Sequence, residues 1–126
     1  MILIFGGAYQ GKLAYAMERF KAVESDVYQC KSDDANVPLN CKIIYEIDKW
    51  ILALVEKDID VEKAMGQFIA ANQDNIVICN DISCGVVPLD PVLRKWREAV
   101  GKSLAKLSCT SDEVIRLFCA IPSRVK

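Results

Sequence analysis

Gly6, Gly11 and Lys12 stand at the spacing G-x-x-x-x-G-K inside Ile2-Leu-Ile-Phe-Gly-Gly-Ala-Tyr-Gln-Gly-Lys12-Leu13. A chain turned by glycines at this spacing lets successive backbone N–H groups converge on an anion at a helix start, while the lysine reaches the outer phosphate oxygens. The candidate phosphate-binding segment is therefore Gly6, Gly7, Ala8, Tyr9, Gln10, Gly11, Lys12 and Leu13. Its metal chemistry is incomplete. The position after the lysine carries a hydroxyl where such a loop holds magnesium, and Leu13 has no oxygen to give. The glycines also read as a plain tight turn. What favours the loop is its setting, between the apolar run Ile2 to Phe5 and the stripe Leu13, Ala16, Met17, Phe20 at helical spacing.

Other residues able to act on a phosphate lie at strand ends. Ile43-Ile-Tyr-Glu46-Ile reads as a buried strand with an acid near its end, and Ile76-Val-Ile-Cys79 as another, with Asn80-Asp81 just past it. Open parallel sheets place ligands at that edge. Glu46 also reads as a carboxylate facing solvent or an arginine, and Asn80-Asp81 as a turn whose side chains satisfy local backbone groups. Gly85 and Pro88 shape the following loop.

The remaining elements follow from spacing and capping. The first helix fades near Glu24-Ser-Asp, Val27-Tyr-Gln-Cys30 forms a short strand, and the polar residues 31–42 make a surface connection. Trp50, Ile51, Leu54 and Val55 continue with helical spacing. Asp60 caps a further helix ending near Asn72, weakened by about 1 kcal/mol at Gly66. Asp90-Pro91 starts the longest helix, with Leu93, Trp96, Val100, Leu104 and Leu107 on one face and Arg94, Lys95, Arg97, Lys102 and Lys106 as a solvated basic set. The stretch 114–120 closes the pattern as a fifth strand that Pro122 ends. Strands alternating with helices imply right-handed crossovers and a mainly parallel sheet of about five strands, covered on both faces.

At 126 residues the chain has the length of one domain, residues 1–126, without repeat or linker. With 52% hydrophobic and 26% charged residues and net charge −1, nothing draws it to nucleic acid or an acidic membrane. No run approaches the roughly 18 apolar residues of a membrane span, and the N-terminal run is too short for a secretion signal. A cytoplasmic protein is expected. Its six cysteines lack metal spacing and there is no histidine, so buried reduced thiols are expected, with Cys30, Cys79 and Cys119 acting as small hydrophobes at strand ends.

The C-terminal third carries a resemblance. Asn80-Asp-Ile-Ser-Cys-Gly85-Val-Val-Pro88, then Arg94-Lys-Trp-Arg97-Glu-Ala-Val-Gly101, Asp112-Glu-Val and Ala120-Ile-Pro122 resemble the bifunctional adenosylcobinamide kinase/adenosylcobinamide-phosphate guanylyltransferase family of corrinoid biosynthesis. With the glycine-lysine segment and Glu46, the similarity spans most of the chain. It implies a P-loop NTPase (RecA-like) three-layer α/β/α fold, ATP or GTP in the loop, a corrinoid acceptor, a cytoplasmic location and a homo-oligomer, a trimer in such enzymes. It assigns Lys12, Glu46 and Asp81 as catalytic residues, with Glu46 holding magnesium through water.

The departures reshape that expectation. Without histidine the covalent guanylyltransferase intermediate cannot form, and residues 31–42 are shorter than the family's histidine-bearing excursion. Gln10 and Leu13 replace the family's serines. Losing a stabiliser of transition-state charge costs about 2.7–4 kcal/mol, so magnesium is expected to bind weakly or not at all and kinase activity to be weak at best. The alternative is a pseudoenzyme, a nucleotide- or phosphate-binding module acting through oligomerisation.

Overall fold

The computed structural model describes residues 1–39 and 41–126. One mixed sheet contains β1 (Ile2–Gly6), β2 (Val27–Gln29), β3 (Ile43–Tyr45), β4 (Ile76–Asn80), β5 (Glu113–Phe118) and β6 (Ile121–Arg124). The helices are α1 (Lys12–Phe20), α2 (Ile47–Glu56), α3 (Val61–Ala71) and α4 (Pro91–Thr110). Across the sheet the order is β2-β3-β4-β1-β5-β6, with the first five strands parallel and β6 antiparallel to β5.

The two-residue period of the strands sorts their apolar side chains between two cores. Leu3, Ile44, Val77, Cys79 and Val114 pack with residues of α2, α3 and α4, whereas Ile4, Ile43, Ile76, Ile78, Ile115 and Leu117 pack with α1. Helices thus cover both faces, unequally, which is why the central strands read as unbroken apolar runs. The larger core is anchored by Trp50 and Phe68, whose ring centres lie 5.3 Å apart. Trp50 Nε1 donates to the Ala35 carbonyl at 3.1 Å.

Both expected helix caps are present. Asp60 Oδ1 accepts from Lys63 N at 3.1 Å, and Asp90 Oδ1 from Val92 N at 2.8 Å with Pro91 next to it. Among the described residues no helix is long and apolar enough to cross a membrane.

Several expectations need correction. Among the described residues there are six strands, not about five, because the chain reverses after Phe118 through Cys119 (φ 50) and Ala120 (φ 61) and returns as β6. Pro122 lies inside that strand instead of ending the pattern. Phe118 pairs with Ile121 and Leu117 with Pro122. In such a hairpin the pair closing the turn exchanges hydrogen bonds and the next does not, so the N–H that Pro122 lacks would have faced the open edge. Helix α1 stops at Phe20, not near Glu24, because Lys21 turns left-handed and the N–H groups of Lys21 and Ala22 close back on Glu18 and Met17. Glu24–Asp26 is a separate 3-10 turn. Strand β3 stops at Tyr45, and Ile47 already belongs to α2.

Residues 31–42 do more than cross the surface. Pro38 is buried, and Ala35, Val37 and Cys41 pack against the larger core; Asn40 lies outside the described residues. The cysteines are free but not uniformly buried, since only Cys30 and Cys79 are inside while Cys84, Cys109 and Cys119 are exposed. Arg97 leaves the solvated basic set. Its Nε and Nη2 donate to the Ser83 carbonyl at 2.9 and 2.7 Å, and Nη2 also to the Gly85 carbonyl at 2.8 Å, which pins the loop after β4.

Candidate phosphate-binding site

The segment 6–12 is a turned loop between β1 and α1, fixed at its base by a steric requirement. Gly6 has φ +154, and a Cβ built there would come within 2.3 Å of the Leu117 carbonyl oxygen on β5. Only glycine fits. Tyr9 (φ 58) and Gly11 (φ 78) take left-handed conformations that curl the chain back toward α1. Gly7, Ala8 and Tyr9 form an exposed crest. Gln10 is turned sideways, its Oε1 accepting from the Cys119 N–H of the β5–β6 turn.

Gly11 caps α1 without a side-chain hydrogen bond, and no acidic residue occupies the first turn. The opening N–H groups of α1 therefore have no capping side chain, and the helix dipole favours a negative charge beside them. Lys12 is only 4% exposed, and its Nζ donates to the Gly7 carbonyl at 2.5 Å. Leu13 turns the other way. It packs with Ile4, Ala16 and their neighbours under α1, so position 13 serves the core.

The sheet places the expected acids at the same carboxyl edge. Gly6 is in register with Asn80, and Asp81 N donates to the Gly6 carbonyl at 2.9 Å. The chain leaves β1 for α1 on one face and β4 for α4 on the other, so the carboxyl ends of the two neighbouring strands lie between connections of opposite face, where open parallel sheets take ligands. Glu46 lies one strand further out, in a left-handed conformation (φ 59) as the N-cap of α2. Each acid is engaged locally. Glu46 Oε2 accepts from Gln29 Nε2 at 2.8 Å and from Lys49 Nζ at 2.7 Å. Asp81 Oδ1 accepts from Ser83 N at 3.1 Å and Ser83 Oγ at 2.5 Å, an Asx turn.

The sequence reading missed Asp48. Its side chain enters the site from the first turn of α2, 3% exposed, with Oδ1 accepting from Asn80 N at 3.0 Å and Oδ2 from Asn80 Nδ2 at 3.2 Å. Its backbone carbonyl accepts from Trp96 Nε1 at 2.7 Å, which ties α4 to the same corner. A signal was present. Asp48 falls in an otherwise apolar helical stripe with Ile47, Trp50 and Ile51, where a carboxylate must find partners.

Burial dominates the electrostatics. It pushes the Lys12 ammonium below its ordinary pKa, opposed chiefly by the negative charge of Asp48 and then by Cys79 and Glu46. It raises the Asp48 carboxyl despite the Asn80 hydrogen bonds. Burial also acts upward on Glu46, but the hydrogen bonds from Lys49 and Gln29 outweigh it and hold that carboxyl below its ordinary value. Cys79, wholly buried, is pushed well up by desolvation.

This donor set suits an anion. A resident magnesium ion does not fit the arrangement, because Leu13 brings no oxygen, one oxygen of Glu46 is shared by a lysine and an amide, and Asp81 is folded onto Ser83. Among the described residues no three or more His, Cys, Asp or Glu side chains are grouped to hold a metal. A cleft of about 760 Å³ lies elsewhere, between the α2–α3 corner and α4, and no loop residue lines it. In comparisons with known proteins, no family model matches the chain and no curated protein matches it.

Proposed function

We propose that the chain binds the phosphate groups of a nucleoside triphosphate, ATP or GTP, in the loop 6–12, without a tightly held magnesium ion. In this reading it is a shortened member of the adenosylcobinamide kinase lineage with a P-loop, RecA-like fold. Phosphoryl transfer is weak at best, and histidine-dependent guanylyl transfer is absent. The observation that carries the reading is the join of β1 to α1. A glycine admits no side chain against Leu117, and the loop it starts ends in a buried lysine at an uncapped helix start. The neighbouring carboxyl ends of β1 and β4, whose connections leave to opposite faces, support the same place for a ligand. The corrinoid acceptor, the cytoplasmic location, the single domain and the trimer rest on resemblance and composition.

Within this reading the residues divide the work. Lys12 exchanges its bond to the Gly7 carbonyl for a phosphate oxygen, and the free N–H groups at the start of α1 meet the remaining charge. Glu46 and Asp81 each have one oxygen already held, by Lys49 and Gln29 and by Ser83, which weakens them as ligands or bases for a reacting group. That observation favours a second reading, a binding module with no turnover.

Calorimetric titration with ATP and GTP, with and without magnesium, separates them. Binding that is indifferent to magnesium and weakened about ten- to a hundredfold in Lys12→Ala is the expected result. Magnesium-dependent binding with turnover of adenosylcobinamide would restore a full kinase, and no binding at all would remove the nucleotide reading.

A further inference from the structure

Away from the loop, the cleft of about 760 Å³ between the α2–α3 corner and α4 holds a polar group that the fold leaves unused. Ser103 lines it from within α4 and is only 4% exposed. A serine or threonine inside a helix commonly turns its hydroxyl back onto the carbonyl one turn earlier. Thr110 on the same helix does so, its Oγ1 donating to the Lys106 carbonyl at 3.0 Å. Ser103 Oγ has no hydrogen-bond partner among the described residues, and unlike the sealed hydroxyl of Ser111 it opens on the cleft. A buried hydroxyl without a partner is costly unless something else bonds to it.

One turn further on, Lys106 brings a cation to the same stretch of the cleft. Among the described residues its Nζ makes one long hydrogen bond, to the Glu62 carbonyl at 3.4 Å, which leaves the ammonium short of acceptors. Val55, Ile59, Met65 and Ala99 supply an apolar wall, and the volume is that of a small-molecule pocket, about 300–1,000 Å³. The charge balance limits what enters. Lys95 and Lys102 join Lys106, but Glu98 already holds Lys102 at 2.6 Å. Asp58, Asp60 and Glu62 line the opposite side. With no surplus of positive charge the cleft does not attract a polyphosphate, and a single negative charge suits it.

We infer that this cleft is a second binding site, for a small monocarboxylate with an apolar body. One carboxylate oxygen accepts from the Ser103 hydroxyl and the other from the Lys106 ammonium, while the body lies along Val55, Ile59 and Met65. The site shares no residue with the loop 6–12, so it stands independently of the nucleotide reading.

Sodium octanoate is the probe, titrated calorimetrically beside octylammonium, which keeps the tail and reverses the charge, and acetate, which keeps the head alone. Octanoate should bind once per chain, about tenfold or more tighter than either, the worth of one charge-assisted hydrogen bond. It should move the backbone amide resonances of residues 55–65 and 95–106 and leave those of 6–12 in place. Ser103→Ala and Lys106→Met, each first shown by thermal melting to be folded, should each weaken octanoate about tenfold. Equal binding of octanoate and octylammonium, resonance shifts outside the cleft, or full octanoate affinity in both variants overturns the site. So does the absence of octanoate binding at millimolar concentration. Should a variant fail to fold, the octanoate–octylammonium comparison on the wild type decides alone.

Discussion

The glycine-and-hairpin flank of the loop and the acidic strand ends opposite it are built on contrary principles. On the first flank, backbone meets backbone with no room for a methyl group, and the N–H groups that open α1 are left without a side-chain cap. On the second, each carboxylate already has donors within its own corner: Lys49 and Gln29 on Glu46, Ser83 on Asp81, Asn80 on Asp48. A site that binds anions needs only the first arrangement. A site that moves a phosphoryl group through a metal needs carboxylates free on the second, and there one oxygen each of Glu46 and Asp81 and both of Asp48 are engaged in local structure.

The largest effect that would break this contrast is at its tightest point. Gly6→Ala forces a Cβ onto a strand carbonyl and should cost about 3 kcal/mol or more, together with all phosphate binding, as read by denaturant unfolding and titration. A near-neutral result would mean that the loop is not pinned. Lys12→Ala should weaken tripolyphosphate binding by about ten- to a hundredfold, the worth of one charged hydrogen bond. Leu13→Ser removes a half-buried contact and should cost about 1–2 kcal/mol in melting experiments. Magnesium-dependent ATP binding in that variant would show that the acids can be recruited once an oxygen is supplied.

Smaller changes sharpen the comparison. Ala120→Gly relieves a left-handed alanine and should stabilise the fold by about 0.5–1 kcal/mol, less than the full strain because glycine also frees the unfolded chain. Glu46→Gln should cost under about 1 kcal/mol at neutral pH, since Lys49 is partly exposed. The sign with pH is fixed by the depressed carboxyl. Its contribution is present above the ordinary pKa and lost as pH falls through the lower folded value, so the wild-type advantage over Glu46→Gln should fade on acidification below the ordinary carboxylate range. An advantage that grew on acidification would contradict the Lys49–Glu46 pairing.

Much of the architecture was legible because its signals are local. The run Ile76-Val-Ile-Cys79 announces a strand buried on both faces, and Asp60 and Asp90-Pro91 place two helix starts where they are found. What escaped depends on distant contacts. The β5–β6 hairpin has no glycine or asparagine at its turn, because the loop contacts hold Cys119 and Ala120 where propensity would not. Asp48 hid in an apolar stripe, since its partner Asn80 lies across the sheet edge. Glu46 and Asp81 were found at the right edge, but their neighbours Lys49 and Ser83 decide what they do, and spacing alone does not rank such partners.

Pro122 has a further effect on how copies of this chain could meet. The outermost strand turns two residues outward, Pro122 and Arg124, and one of them has no proton to lend. A neighbour laid along that rim would find the ladder interrupted at once, so the sheet is a poor template for growth in that direction. Extension of the sheet by a second copy is therefore disfavoured at the β6 rim.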